Sequence, residues 1–233
     1  MWPPPRVDQA PAADAPQWAP MSISIGPASR QRGALLLADI SGYTAFLQRV
    51  TDAHVELLIN VDEPAPAYSL VSSLLDTVAS RLEPAFQLAK FEGDAIFAVA
   101  PDGPEALHGE SLGEWLRTCH AAFVQRLAKG RSEWTCDCNS CAGVVNLGLK
   151  FVLHHGDYVT QRILGREELA GPDVIVAHRL LKNHAHEVIG PRPYAMFTDA
   201  ALRALEVPAG AMPALTETYE GMPPIPVHLL VLD

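Results

Sequence analysis

ALLLADISGYTAFLQRV, residues 34–50, changes character halfway along. Ala34 to Ile40 is an apolar run interrupted only by Asp39, with the length of a buried strand. Ser41-Gly42-Tyr43-Thr44 follows, with the small and hydroxyl side chains of a tight turn and a helix entry, and the remainder reads as that helix. A strand therefore leads through a short turn into a helix, and it carries a carboxylate at its end.

Outward from this unit, YSLVSSLLDTVASRL (68–82) places Leu70, Leu74, Leu75, Val78 and Leu82 on one helical face, with Pro84 as its stop. FQLAKFEGDAIFAVAP (86–101) is two short apolar strands around Glu92-Gly93-Asp94, a hairpin tip. SLGEWLRTCHAAFVQRLAKG (111–130) has helical periodicity and a terminal Gly. LGLKFVLHHG (147–156) and YVTQRIL (158–164) read as a second strand pair, VIVAHRLLKNHA (174–185) as a helix and PVHLLVL (226–232) as a closing strand. The order predicts an α+β fold, a sheet covered by helices on one face. Residues 1–32 are a Pro- and Ala-rich tail without period, expected to be disordered, with Met21 inside it as a second candidate start; 33–233 form the domain.

The 233 residues suit one domain, and 48% hydrophobic content suffices for a sizeable core. Lys and Arg number 17 against 27 Asp and Glu, a net charge of -10, which disfavours a non-specific nucleic-acid or anionic-membrane binder. No apolar run reaches the length of a membrane span, and the N-terminus has neither the apolar core nor the basic flank of a signal peptide. A cytoplasmic protein is the expectation.

Asp39 at a strand end and Asp94 at a hairpin converge if the first strand lies beside that hairpin. Two hard oxygen ligands on rigid strand ends, open on one side, suit Mg²⁺ when phosphate oxygens complete its shell. Backbone N–H groups of the 41–44 turn are available to an anion. Taken singly, each residue has an ordinary reading as well: a strand-ending Asp is commonly an N-cap, and Gly-Asp at a hairpin is turn chemistry.

Four blocks, ADISGYTAFL (38–47), KFEGDAIFAVAP (90–101), LGLKFVLHHGDYV (147–159) and ELAGPDVIVAHRLLKN (168–183), together resemble the catalytic domain of the class III nucleotidyl cyclases, the adenylate and guanylate cyclases. The resemblance spans about Ala34 to Asn183 and implies a ferredoxin-like βααββαβ core. It implies that Asp39 and Asp94 hold Mg²⁺ or Mn²⁺, that the backbone of Ile40, Ser41, Gly42, Tyr43 and Thr44 takes the triphosphate, and that Lys90 with Glu168 reads the purine, ATP over GTP. It implies that Arg179 steadies charge on the reacting phosphate, that His154 and Gly156 are structural, and that the site forms in a homodimer, Arg179 facing the partner's carboxylates. The implied reaction is conversion of ATP to cyclic AMP with release of pyrophosphate. One position departs: four residues before Arg179, where the family orients the ribose with asparagine, stands Ile175, which has no hydrogen-bond donor. Glu168 likewise replaces an aspartate. A nucleotide-binding dimeric module that has lost catalysis is therefore a second expectation, and a structural partner protein on the same fold a third.

Cys136, Cys138 and Cys141 in TCDCNSC have the spacing of a turn that wraps thiolates around Zn²⁺, with Trp134 beside it and Cys119 or His120 as the fourth ligand of a structural site. Free thiols, a redox-active group or one disulfide are the other readings. His178, His184 and His186 do not share a helical face and read as surface or capping residues.

Overall fold

Strand β1 (Ser29–Ser41) is the axis of the molecule. Its alternation sends Ala34, Leu36, Ala38 and Ile40 into one core and Leu35 and Leu37 into another, so the sheet buries both faces. The computed structural model describes residues 28–55, 66–83, 85–103, 108–133, 136 and 138–233. Met21, Pro84 and Trp134, to which roles were assigned above, lie outside them, as does all but the end of the expected tail. Ser29–Arg32, assigned to that tail, instead extend β1.

After β1 come α1 (Tyr43–Ala53), α2 (Pro66–Leu82), the hairpin β2 (Gln87–Glu92) and β3 (Ala95–Pro101), then α3 (Gly109–Glu133). A short helix α4 (Asn139–Ala142) and a 3₁₀ turn (Gly143–Asn146) lead into β4 (Gly148–Ile163), paired as a hairpin with β5 (Arg166–Ala170). The chain closes with α5 (Pro172–Arg179), α6 (Ala185–Ile189), β6 (Tyr194–Thr198), α7 (Asp199–Ala204), β7 (Ala214–Glu217) and β8 (Ile225–Val231). The eight strands form one sheet in the order β2-β3-β1-β4-β6-β8-β7, with β5 paired to β4; β4 and β6 are parallel and the other pairs antiparallel. This is the expected α+β architecture.

On one face Leu36 and Ile40 pack with Phe46 of α1, Leu74 of α2 and Phe123 of α3, each at most 1% exposed. Burying side chains of this size stabilises the fold by about 1.5–3 kcal/mol apiece. The opposite face is covered more lightly, by α5 and the turn after it, through Val174, Ala177 and Leu180 against Leu35, Leu37 and Val152. The covering is thus two-sided, where the sequence pattern suggested one side.

β4 and α5 also differ from the pattern expected of the sequence. The segments 147–156 and 158–164 are one strand, running unbroken through Gly156 and Asp157 and pairing with β1 from Ser29↔Thr160 to Ser41↔Gly148. Gly156 does not make a turn; it makes room. A Cβ there would lie 2.2 Å from the Asp173 carboxylate in the first turn of α5. That carboxylate accepts from Asp157 N–H (2.7 Å) and from His154 Nε2 (3.0 Å), while His154 Nδ1 lies 2.9 Å from Thr198 Oγ1. Burial holds the imidazole below its ordinary pKa in spite of Asp173. A neutral ring therefore gives its single proton to Asp173 and accepts the Thr198 hydroxyl. His154 and Gly156 are structural, as expected, and what they build is the docking of α5 on β4. The helix expected over 174–185 ends at Arg179, and α6 is separate.

Candidate active site

Asp39 belongs to the odd-numbered set of β1, so its side chain faces the α5 side of the sheet, between Ala95 of β3 and Lys150 of β4 in cross-strand register. Ile40 N–H donates to the Asp94 carbonyl (3.1 Å), which ties the β2–β3 hairpin tip to the end of β1. The predicted convergence of the two carboxylates is visible in their electrostatics. Burial, then the neighbouring Asp39 charge, holds Asp94 above the usual carboxylate range, while Lys150 pulls the other way.

Lys150 was not singled out in the sequence. Its ammonium lies 3.0 Å from Asp39 Oδ2 and donates to the Leu181 carbonyl (2.9 Å), and the two side chains are each only 16% exposed. A cation therefore already answers the acidic pair. Asp39 and Asp94 fit a divalent metal by donor type and by the repulsion that persists beside Lys150, and such a metal would share Asp39 with Lys150. The signal was present: Lys150 is the one charged residue in the otherwise apolar run 147–153.

Gly42 precedes α1 with φ +82°, a left-handed conformation that a side chain would strain. Its carbonyl accepts from Phe46 N–H (3.0 Å). No side chain caps this helix, so the N–H groups of its first turn, from Tyr43 and Thr44 onward, face an anion that approaches the helix start, while the Ile40 N–H is held by the Asp94 carbonyl. Burial, Tyr68 and Asp94 together raise the Tyr43 phenol.

The structure also brings Lys90 and Glu168 together. Lys90 Nζ lies 2.8 Å from Glu92 Oε1 and 3.6 Å from Glu168 Oε2, because the β4–β5 hairpin carries Glu168 over β2. The hydrogen bond to Glu92 is the main cause of its raised pKa. Glu92 was missed, although it shares a strand face with Lys90 two residues away. It also takes His178 Nε2 (2.9 Å), and the His178 ring packs edge-on against Phe97 (centroids 4.8 Å apart) while Nδ1 donates to Val174 O. His178 is thus half-buried and tied to Glu92 of β2 and Phe97 of β3, rather than a surface or capping residue. An open groove of about 100 Å³ lies between β2–β3 and β5, with Lys90, Phe97, Glu168 and Leu169 in its lining.

Arg179 and Ile175 stand one turn apart on α5, both exposed, Ile175 to 55%. Cys136, Cys138 and Cys141 converge elsewhere, beyond the far end of α1, where the side chain that meets them is His54. The expected fourth ligand, Cys119, is instead fully buried in α3, its thiol pushed up to about 12 by burial, and lies outside the cluster. His120, the other candidate, is also absent from it. None of the four cysteines is in a disulfide, so the disulfide reading is not realised.

Among solved structures, the chain is similar to the guanylyl cyclase Cya2 (TM-score 0.59, 12% identity, 88% of this chain and 93% of that one). It is similar as well to the adenylyl cyclase CyaB from P. aeruginosa (TM-score 0.57, 13% identity, 89% and 97%). At these identities the likeness shows the nucleotidyl cyclase fold. "Uncharacterized protein Rv2561/Rv2562" of Mycobacterium tuberculosis (strain ATCC 25618 / H37Rv) is 32% identical over 163 residues, 70% of this chain and 73% of that protein. Residues 71–188, just over half of the chain, match the family model described as "Protein of unknown function (DUF2652)", and the chain is a member of that family.

Proposed function

We propose that the protein is a nucleotidyl cyclase that converts ATP to cyclic AMP and pyrophosphate in a site shared by two copies of the chain. The observation that carries this reading is the convergence of Asp39 and Asp94 beside an uncapped helix start. Asp39 and Asp94 hold the divalent metal, Mg²⁺ or Mn²⁺, which when bound supplies charge neutralisation for the polyphosphate and acidity to the ribose 3'-hydroxyl. The turn at Ile40–Thr44 seats the triphosphate through the N–H groups at the start of α1, the Ile40 N–H staying on the Asp94 carbonyl. Lys90, oriented by Glu92 and Glu168, donates to the purine ring; this favours adenine. As the 3'-hydroxyl gives up its proton to solvent water, its oxygen bonds the α-phosphorus and the bond from that phosphorus to the bridging oxygen breaks, releasing pyrophosphate. Arg179 of the partner copy offers donors to the charge that develops there.

Ile175 favours a second reading, a binding module in which nucleotide occupancy stabilises the dimer without turnover, because no donor is present to orient the ribose. Thermal melting with ATP or GTP and Mg²⁺ tests what the two readings share. Both require a nucleotide-dependent rise in Tm that Asp39→Ala abolishes, since a ligand bound only by the folded state must stabilise it. No shift with either nucleotide counts against both.

A further inference from the structure

The imidazole and three thiols beyond the end of α1 are unused by the cyclase reading and do not depend on it. His54 caps α1 and is half-buried. Its Nδ1 donates to the carbonyl of the buried Val50 (2.8 Å), which turns Nε2 toward the thiols. From Nε2 the distances are 3.3 Å to Cys136 Sγ, 3.7 Å to Cys138 Sγ and 3.8 Å to Cys141 Sγ, and all four ligand atoms lie within 4.8 Å of one another.

These distances have a chemical meaning. A tetrahedral ion with Zn–S of about 2.3 Å and Zn–N of about 2.0 Å places its ligand atoms roughly 3.5–3.8 Å apart along the edges. A polynuclear iron–sulfur cluster interposes its own atoms and would spread the thiolates more widely. A disulfide would use two of the three sulfurs and strand the third beside an imidazole. The local backbone is also arranged for thiolate: Cys138 is the N-cap of α4, and its Sγ accepts from Cys141 N–H (3.4 Å). The Nδ1 bond from His54 to a backbone carbonyl is the outer-shell contact that fixes the ring of a ligating histidine.

We infer that His54, Cys136, Cys138 and Cys141 form a closed structural zinc site that fastens the end of α1 to the segment leading into β4. Four protein ligands leave no open position for catalysis. The consequence is mechanical. The segment that the ion holds continues through the 3₁₀ turn to Asn146, whose carbonyl lies 3.4 Å from where a Cβ on Gly42 would sit. The two ends of α1 thus rest on one clamped strap, with the phosphate-facing turn at its start and the metal at its finish. Soft thiolates with one imidazole favour zinc over the hard cations suited to Asp39 and Asp94.

The test is metal analysis of the full chain purified without chelator and then loaded with excess Zn²⁺. About one zinc per chain is expected, with all four cysteines reacting as thiols after denaturation in chelator. Replacement by Co²⁺ should give the intense visible bands of a tetrahedral thiolate site. His54→Cys should retain one equivalent and raise the sulfur-to-cobalt absorbance by about a third, as a fourth thiolate joins three. Cys119→Ala should leave the stoichiometry unchanged, and His54→Ala should weaken binding by at least about tenfold. Less than about half an equivalent after loading, an octahedral cobalt spectrum, a disulfide in the 136–141 turn, or loss of metal in Cys119→Ala would each overturn the assignment.

Discussion

Substituting Gly156 by alanine probes the joint that sets α5, and with it Ile175 and Arg179, on the sheet. The new Cβ would fall 2.2 Å from both Cγ and Oδ2 of Asp173 and 2.6 Å from its Cβ. Ordinary contact requires a retreat of about 1 Å or more. The carboxylate cannot retreat that far while keeping the 2.7 Å bond from Asp157 N–H and the 3.0 Å bond from His154. Hydrogen bonds to a charged group are worth about 1.5–3 kcal/mol each. Because the Asp173 side chain is 32% exposed, the lower end applies, and the two together give a loss of about 3 kcal/mol. For a chain of this size that corresponds to a fall in Tm of about 6–12 °C. Denaturant titrations of four proteins decide the cause: wild type, Gly156→Ala, Asp173→Gly and the double variant. With the Asp173 side chain removed, the three atoms nearest the new Cβ are gone, and the cost of the alanine should drop below about 1 kcal/mol. An equal cost in both backgrounds, or a cost under about 0.5 kcal/mol in the wild type, refutes the packing account.

The buried neutral imidazole of His154 gives a pH signature of known sign. Its folded pKa is depressed, so the unfolded state binds the proton more readily and stability falls as pH drops through the ordinary histidine range near 6.5; this slope should flatten in His154→Gln. His184 has the opposite sign: the buried Glu217 raises its folded pKa, so its contribution is full below the unfolded pKa and fades as pH rises through the folded one, as comparison with His184→Gln should show. Lys150→Met leaves the carboxylate pair without its cation and should cost about 2–3 kcal/mol in metal-free buffer, with a larger Tm gain on adding Mg²⁺ than the wild type shows; an equal gain would place Lys150 outside the metal's sphere. Ile175→Asn, at an exposed position, should leave Tm unchanged and raise cyclase turnover by about 100-fold, and an unaltered rate would mean that the ribose is oriented elsewhere.

What could be read in advance followed how local the signal was. The β1–turn–α1 unit and the hairpin carrying Asp94 were legible because each rests on a short pattern plus the order of the strands, and the Lys90–Glu168 meeting was legible only through the resemblance to the cyclases. The continuity of β4 was not. His154-His155-Gly156-Asp157 has turn composition, and only the close approach of Asp173 explains why a glycine stands in mid-strand. His54 was invisible for a different reason: it lies 82 residues from Cys136, and nothing in its neighbourhood marks it as a ligand, whereas Cys119 is near in sequence but points into the core. Lys150 could have been found, since a lone charge in a buried strand needs a partner.

Cyclisation at Asp39 and Asp94 is read out most directly by measuring cyclic AMP and pyrophosphate from ATP with Mg²⁺ or Mn²⁺, using the full chain and an Asp39→Ala control. Equimolar cyclic AMP and pyrophosphate are expected from the wild type, with a loss of at least about 100-fold in the control. No cyclic nucleotide from ATP or GTP with either metal, or equal product from the control, would contradict it.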